Sequence, residues 1–304
     1  MTRSYSDKVD ARAFGFKLQR RRSTGYIGGS ILQLLLNDPR FEITALVRSV
    51  QKAKKLNDIG VKTVVASLED SDVLTEEVAK ADIVLHTADA DHLEAARAIL
   101  KGLKARHEKT GGVPILIHTS GTGVLADNAA GEYATDTIYH DSSVEEIESL
   151  KPSQVHRNVD LEIVAADQAG YVRTFIILPS TIWGILTGGL VDLGVAHANS
   201  IQIPAAIRAS IDRGQGGVVG KGLNLWPHVE IHELADMYKI ILDAAINDPK
   251  NTPRGREGFF FGENGEYRLL DAAKAYTATL YAAGKSKTAE PTSFTSEEVQ
   301  KYFG

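Results

Sequence analysis

The chain has 304 residues, of which 43% are hydrophobic and 24% are charged, and its formal net charge is −5. These values are typical of a globular protein of one or two domains with a sizeable core, and they give no reason to expect nucleic acid or an anionic membrane as a partner. The sequence contains no cysteine, which excludes disulfides, thiolate catalysis and cysteine-based zinc sites.

The N-terminal segment, residues 1–22, differs from the rest of the chain. Residues 1–23 carry seven Lys and Arg against two Asp. A mitochondrial presequence is Arg-rich and poor in acidic residues, so the two aspartates and the missing Leu-rich face argue against one. No secretory signal pattern is visible, and we therefore expect a cytoplasmic protein.

Short apolar runs alternate with helical patterns up to residue 178. The runs predicted as strands are Ile43–Val47, Val61–Ala66, Asp82–Ala88, Pro114–Ser120 and Val172–Leu178. The predicted helices include Gln51–Ile59, Ser71–Ala79, His92–Arg106 and His156–Gln168. This alternation predicts an α/β fold with a doubly wound parallel sheet, buried on both sides because its strands are continuously apolar.

The C-terminal part has a different pattern. Residues 174–191 are uncharged, but the Pro, Ser, Thr and Gly residues within them favour a buried strand and a Gly-rich loop over a membrane span. Short helices follow, including residues 203–214 and a terminal helix over Ser293–Phe303, and the polar residues 285–291 are expected to be loose. We predict a domain over residues 23–185 and a smaller lobe over residues 186–304, partly interleaved with it.

The strongest single motif is the turn that begins the first helical pattern. Gly25 and Gly28 bracket Tyr26 and Ile27, and an apolar helical pattern follows. A helix N-terminus offers free N–H groups and a positive dipole end to a pyrophosphate, and glycines let the backbone approach closely. The alternative is a tight turn that only packs a helix on a strand.

Arg48, at the end of the next predicted strand, bears on the choice of cofactor. An acidic residue at this position binds a ribose 2′-hydroxyl, whereas Arg accommodates the 2′-phosphate of NADP. Arg48, with Lys52 and one of Lys54 or Lys55 behind it, favours NADP, although NAD stays open. The alternative is a solvated strand end.

Several motifs in their order along the chain resemble those of a known family. They are TGYIG at 24–28, ALVRS at 45–49, DIVLHTA at 82–88, ILIHTSGTGV at 115–124, LPSTIWG at 178–184 and HVEIHELADMY at 228–238. Together they resemble the extended or atypical short-chain dehydrogenase/reductases, which include epimerase/dehydratase-like and NmrA-like proteins. The resemblance implies a Rossmann domain and a smaller C-terminal substrate lobe.

The resemblance also implies where the cofactor binds. Its contacts fall on Gly25, Tyr26, Ile27, Gly28 and Arg48, with adenine near Ser67 and Leu68, ribose near Thr87 and Ala88, and nicotinamide near Pro179, Ser180 and Thr181. Two features depart from the family pattern.

The first departure lies in the phosphate-binding turn. Where the family has TGATGYIG after a hydrophobic strand, this chain has Arg21-Arg22 before Ser23, so that Arg22 stands at the first glycine. The preceding residues 13–19 make a poor central strand, and a long side chain at the tight turn crowds the phosphate, although an Arg can also bind one. We expect weakened cofactor binding.

The second departure is catalytic. The family's Tyr-x-x-x-Lys pair aligns with His156 and Asp160, which could share one helical face as an acid–base pair or could simply be polar residues on a half-exposed face. The assisting serine maps to Ser120 or Thr122. A literal Tyr-x-x-x-Lys at 281–285 lies past the strands and is attributed to chance.

Two clusters of potential metal ligands were considered. They are His86, Asp89, Asp91 and His92, and His228, Glu230 and His232. Nothing directs three or four of these ligands at one point, so we expect no metal.

Two classes of function remain open. One is an NAD(P)-dependent oxidoreductase, acting on an aldehyde, ketone, alcohol or epimerase/dehydratase-type substrate, with His156 in place of the tyrosine. The other is a non-catalytic NAD(P)-binding sensor of the NmrA kind, or a variant with impaired cofactor binding. In either case the expected partner is a small molecule, and the protein is a monomer or a homodimer.

Overall fold

The structure is a computed structural model that describes residues 25–303. The predictions for the N-terminal segment, including Arg21, Arg22 and the strand over 13–19, fall outside the described residues. The helices of the described chain are α1 (Tyr26–Leu35), α2 (Val50–Asp58), α3 (Ser71–Val78), α4 (Leu93–Thr110), α5 (Val144–Glu148), α6 (Arg157–Gln168), α7 (Gly189–Asp192), α8 (Gln202–Arg213), α9 (Ile231–Asn247), α10 (Leu269–Ala282) and α11 (Ser296–Phe303).

The strands form a parallel sheet in two pieces and two smaller sheets. They are β1 (Thr44–Val47), β2 (Lys62–Val65), β3 (Ile83–His86), β4 (Ile115–Thr119), β5 (Arg173–Pro179), β6 (Thr181–Trp183), β7 (Gly217–Val218), β8 (Leu225–Glu230), β9 (Phe259–Gly262), β10 (Gly265–Arg268) and β11 (Thr292–Ser293). One parallel piece is β1–β2 and the other has the order β3-β4-β5-β9. The predicted α/β class with a Rossmann-type parallel sheet is confirmed.

Alternation along the strands divides the core between two faces of the sheet. Leu85, Ile117 and Ile177 belong to a cluster with α1, α2 and α9, whereas Leu116 and Ile176 belong to a cluster with α3, α4 and α6. Because side chains alternate with a period of two, His86 and His118 share the face of Leu116. Both histidines are buried.

The C-terminal part contributes to both halves of the molecule. β9 joins the parallel sheet beside β5, and α9 packs against α1, while β6, β8 and β10 form a separate mixed sheet. The division at residue 185 stays a prediction.

The expectation that residues 285–291 are loose is wrong. The amide of Lys287 donates to the carbonyl of Gly214 at 3.1 Å, and Gln215 Nε2 donates to the carbonyl of Glu290 at 2.9 Å. The hydroxyl of the buried Ser286 accepts a hydrogen bond from the amide of Gly216 at 3.0 Å. Polar composition suggested mobility, but backbone hydrogen bonds to the turn after α8 fix the segment.

Candidate active site

A cavity of about 430 Å³ lies beyond the carboxyl ends of β3, β4 and β5, where open α/β sheets bind their ligands. The predicted site residues that line it are Ile27, Thr87, Ala88, Ser120, Thr122, His156, Pro179 and Ser180. The other described residues that line it are Ala90, Thr119, Gly121, Gly123, Ile182, Gln202 and Trp226. The structure therefore brings most of the predicted ribose, nicotinamide and catalytic positions to one place.

Among the predicted site residues that do not line the cavity, Thr181, Tyr26 and Asp160 lie close behind its wall. Thr181 directs its hydroxyl to Gln202 Oε1 at 3.1 Å. The Tyr26 hydroxyl donates to the carbonyl of Gly184 at 2.9 Å, so this side chain ties the turn to the segment after β6. Asp160 lies beneath Ser120 with no exposed side-chain surface.

The turn at the start of α1 suits a phosphate-bearing cofactor. Gly25 is the N-terminal cap of α1 in extended conformation, and the helix begins next to the cavity because Ile27 lines it. A Cβ on Gly28 would lie 2.8 Å from the Thr87 hydroxyl oxygen, so glycine permits the close approach of α1 to the end of β3. These residues fit the cofactor implied by the sequence.

The predicted adenosine end lies on the neighbouring pair of strands. Arg48 follows β1 and Ser67 and Leu68 follow β2, and the parallel pairing of Val47 with Val65 brings these strand ends together. Arg48 is exposed. The pKa of Glu69 is lowered, chiefly by a hydrogen bond from Ser67 and to a smaller extent by the charges of His92 and Arg48, which places Arg48 within electrostatic reach of that carboxylate.

The lysines expected to support Arg48 have other partners. The ammonium groups of Lys52 and Lys55 donate to the carbonyls of Val195 and Leu193 at 2.8 and 2.6 Å, and Lys54 pairs with Asp58 at 2.9 Å. Two of these partners lie in the loop after α7, which passes over α2 and which the local sequence does not reveal. The assignment of a 2′-phosphate therefore depends on Arg48.

His156 is held in a position that sequence alone did not predict. Its φ of 68° puts it in the left-handed region just before α6, and its Nδ1 lies 2.8 Å from Oδ1 of Asp91. The same oxygen accepts the His156 backbone amide at 3.1 Å. The predicted His156–Asp160 pair is wrong, because the side chain of His156 contacts Asp91 and that of Asp160 contacts Ser120.

Two glycines allow the imidazole to lie where it does. A Cβ built on Gly121 or Gly123 would lie 3.1 or 3.2 Å from Nε2 of His156. The ring therefore lies against this glycine loop with Nδ1 on Asp91, and a carboxylate at Nδ1 orients a histidine for proton exchange at Nε2.

A polar chain is buried beneath the cavity. Ser120 Oγ donates to Asp160 Oδ2 at 3.1 Å, His118 Nε2 lies 3.9 Å from Asp160 Oδ1, and the Nδ1 atoms of His118 and His86 are 2.8 Å apart. Neighbouring positions in β3 and β4 pair the two histidines directly.

Burial controls the protonation of this chain. It raises the pKa of Asp160 to about 7, against the opposing effects of the Ser120 hydrogen bond and the Arg157 charge. It lowers the pKa of His86 to about 4 and that of His118 well below its ordinary value. Burial therefore favours the neutral forms of these three side chains.

Two other candidates from the sequence, Thr122 and His228, make hydrogen-bond contacts within the protein. The Thr122 hydroxyl lies 3.4 Å from the carbonyl of Pro179, and the Trp183 indole N–H donates to His228 Nδ1 at 3.0 Å. Within residues 25–303 no group of three or more ligand side chains is arranged to hold a metal ion.

Sequence reasoning missed three contributors to this site. Sequence patterns assigned Asp91 no role other than that of a possible metal ligand, and they assigned no individual role to His118, Gly121 or Gly123. For His118 a signal existed, since it lies two residues after the apolar Leu116 in a continuous strand pattern.

Comparisons with known proteins agree with this geometry. A family model described as NAD(P)H-binding matches residues 23–151. The chain is 29% identical over 280 residues to the oxidase ucsJ of Acremonium sp., covering 86% of this chain and 78% of that protein.

Solved structures share the fold across nearly the whole chain. A dTDP-glucose 4,6-dehydratase from Bacillus anthracis, in complex with NAD, superposes with a TM-score of 0.62 at 12% identity, covering 96% of this chain and 90% of that one. A UDP-glucuronic acid 4-epimerase from Bacillus cereus, in complex with UDP-glucuronic acid and NAD, gives 0.59 at 12% identity, with 96% and 93% covered.

The fold, the cavity and the family match define an NAD(P)-binding protein of Rossmann type, and they support an NAD(P)-dependent oxidoreductase type of function. The predicted resemblance agrees with these matches: residues 23–151 match an NAD(P)H-binding domain, and the chain shares its fold with the dehydratase and the epimerase named above. Among the described residues, no helix has the length and apolar character needed to cross a membrane.

Proposed function

We propose that this protein is an NADP(H)-dependent oxidoreductase that interconverts a carbonyl group and an alcohol in the cavity beyond β3, β4 and β5. The observation that carries the proposal is the convergence of His156, fixed by Asp91, and Ser120, backed by Asp160, on one cavity beside the turn at Gly25. The family match over residues 23–151 supports the cofactor class.

The chain's own residues supply the binding of the cofactor. The N–H groups at the start of α1 would hold the pyrophosphate of a bound cofactor, and Arg48 would hold its 2′-phosphate. Thr87 and Ala88 line the ribose side, and the residues after β5 line the nicotinamide side. When bound, the nicotinamide cofactor supplies the hydride in reduction and accepts it in oxidation.

His156 and Ser120 handle the proton. In reduction the carbonyl carbon gains a hydride and its oxygen gains a proton from Nε2 of His156, because Nδ1 is engaged by Asp91. Ser120 donates a hydrogen bond to the same oxygen. In oxidation the neutral imidazole takes the alcohol proton, so the two directions balance.

The protonation state of Asp160 determines whether the Ser120 hydroxyl donates to Asp160 or to the substrate oxygen. When Asp160 is ionised, the Ser120 hydroxyl donates to it, as the 3.1 Å contact describes. When Asp160 carries a proton, the carboxyl group can donate to Ser120 Oγ, and the serine proton is then free for the substrate oxygen. Asp160 is therefore proposed as a positioning residue for Ser120.

A carbonyl panel tests the function directly. The full chain is incubated with NADPH and then with NADH, and oxidation of the cofactor is followed at increasing concentrations of neutral and charged aldehydes and ketones. We expect NADPH-dependent turnover that is lost in His156→Phe. Tight NADPH binding without turnover of any substrate would contradict the proposal and favour the sensor of the NmrA kind, which the absence of a Tyr-x-x-x-Lys pair at 156–160 also favours.

A further inference from the structure

We propose, building on the proposed function, that the substrate is an uncharged carbonyl or alcohol compound with an extended apolar portion, such as a long alkyl or aryl ketone. Compounds that place a phosphate or carboxylate inside the cavity are disfavoured by the same argument. The inference depends on the composition of the cavity and of its rim, and neither was used to assign the reaction.

The cavity wall is apolar with a few hydroxyl groups. Ile27, Pro179, Ile182 and Trp226 supply its large apolar surfaces. Of the described residues that line it, none is Asp, Glu, Lys or Arg, and His156 is the titratable one. Pockets with this character bind ligands mainly by apolar contact, while a few polar groups fix orientation.

An anionic substrate has no counter-charge on this wall. Burying an isolated carboxylate or phosphate is costly unless it is paired with a cation and hydrogen-bonded. Proteins meet this need with Arg or Lys, and Arg48 lies on the β1–β2 strand ends outside the cavity lining. A single carbonyl or hydroxyl, in contrast, is satisfied by His156 and Ser120.

Three exposed apolar residues, here called the rim, stand next in sequence to residues that line the cavity. Trp183, Ile201 and Leu225 are 48%, 63% and 46% exposed, respectively. Each is adjacent in sequence to a lining residue, since Ile182, Gln202 and Trp226 all line the cavity. The nicotinamide ring must share the volume of about 430 Å³, so a substrate longer than its reacting end extends over this rim.

Binding can be measured without turnover, because the chain has two tryptophans, at positions 183 and 226. In Trp183→Phe, Trp226 remains as the reporter of the cavity. The variant is titrated with 2-butanone, 2-hexanone, 2-octanone and 2-decanone, with and without NADP⁺, which cannot reduce a ketone. The charged probes are 5-oxohexanoate, matched in length to 2-hexanone, and UDP-glucose.

We expect saturable changes in Trp226 fluorescence whose dissociation constant falls by about two- to fourfold for each added methylene, as burial of apolar surface predicts. 5-Oxohexanoate is expected to bind at least about tenfold more weakly than 2-hexanone, and UDP-glucose to give no saturable change. A dissociation constant independent of chain length, or charged probes that bind as tightly as neutral ones, would overturn the proposal.

Variants separate the rim from the cavity. Ile201→Ser and Leu225→Ser should weaken 2-decanone and leave 2-butanone unchanged, whereas Ile240→Ser, at an equally exposed position on α9, should change neither. Ketone binding without any reduction would contradict the proposed oxidoreductase and support this substrate class. Turnover confined to charged substrates would overturn the substrate class and leave oxidoreduction standing.

Discussion

The hydroxyl of Ser120 donates a hydrogen bond to Oδ2 of Asp160 across 3.1 Å, and that carboxyl group has no exposed surface. In the sequence resemblance described above, Asp160 aligns with the lysine of a Tyr-x-x-x-Lys pair. This chain has a buried acid there, and burial raises its pKa to about 7. The groups that face it are Ser120, His118 from β4, Arg157 from its own helix and Asp91 from the loop after β3.

The first prediction concerns the pH profile of Asp160→Asn. The folded pKa of about 7 lies above the ordinary value of 3.8, so the protonated, donating form of Asp160 is present below pH 7 and is lost above it. Reductive turnover should fall above pH 7 from this cause. In Asp160→Asn the amide can donate to Ser120 at every pH. The decline of turnover with rising pH should therefore be less steep than in the unmodified chain, by at most about a factor of ten per pH unit.

The control uses Ser120 itself. In Ser120→Ala the Asp160→Asn change should have no further effect on the profile, because residues that act as one unit are not additive. Steady-state rates from pH 5.5 to 9 make the measurement. An unchanged slope in Asp160→Asn would assign the pH dependence to His156 alone.

The second prediction concerns acid stability and His86. Burial lowers its folded pKa to about 4 from an ordinary 6.5, so the unfolded chain binds more protons between those values. The stabilising contribution of the neutral ring is therefore complete above pH 6.5 and is lost as the pH falls towards 4. Between pH 7 and 4.5, His86→Leu should lose about 2–3 kcal/mol less of its free energy of unfolding than the unmodified chain.

Urea unfolding at the two pH values measures this difference. His86→Leu is also expected to be less stable at pH 7, because Nδ1 of His118 loses its partner, so the comparison is between slopes. Parallel slopes for the two proteins would contradict the assignment.

The third prediction concerns His156. His156→Phe removes the proton donor, so reductive turnover should drop by about two to four orders of magnitude while NADPH binding is retained. Because the residue has a φ of 68°, a loss in the Phe variant could also come from backbone strain. His156→Asn, which tolerates the left-handed region, separates these causes and should show the same loss of turnover.

Asp91→Asn completes this test. It removes the charge that orients Nδ1 and should lower turnover less than either His156 variant. Turnover at the unmodified rate in both His156 variants would make His156 structural and move the donor role to Ser120 or Thr122 with water.

Patterns within short stretches of sequence predicted much of the fold. Each predicted strand up to residue 178 was found within one or two residues of its expected bounds. β1, β3 and β4 are buried along their length, whereas β2 is partly exposed. The helix predicted over His92–Arg106 extends to Thr110, where Gly111 closes it with a φ of 69°. A helix end of this kind needs a residue in the left-handed conformation, and in the sequence only the glycine that follows the helix indicates it.

The site was harder to predict because its partners are distant in sequence. Asp91 and His156 are 65 positions apart, and nothing near either residue indicates their contact. The left-handed φ of His156 is imposed by that contact, so the helical spacing to Asp160 was misleading. Motif order located the cavity, whereas the hydrogen-bond partners within it required the tertiary structure.

The last prediction concerns the choice between NADP and NAD. Arg48 is exposed at the end of β1 beside the residues predicted to hold adenine, and the three nearby lysines are engaged elsewhere. NADPH should therefore bind more tightly than NADH, and Arg48→Ala should remove a preference of about 10- to 100-fold, the usual size of a charge-assisted hydrogen bond. Lys54→Ala, which removes a neighbouring charge paired with Asp58, should leave the preference intact.

Glu69→Gln should strengthen NADPH binding, because the carboxylate that interacts with Arg48 also repels a phosphate. Dissociation constants from titrations of cofactor fluorescence decide the matter, and equal affinities of the unmodified chain for NADPH and NADH would show that Arg48 does not hold a 2′-phosphate.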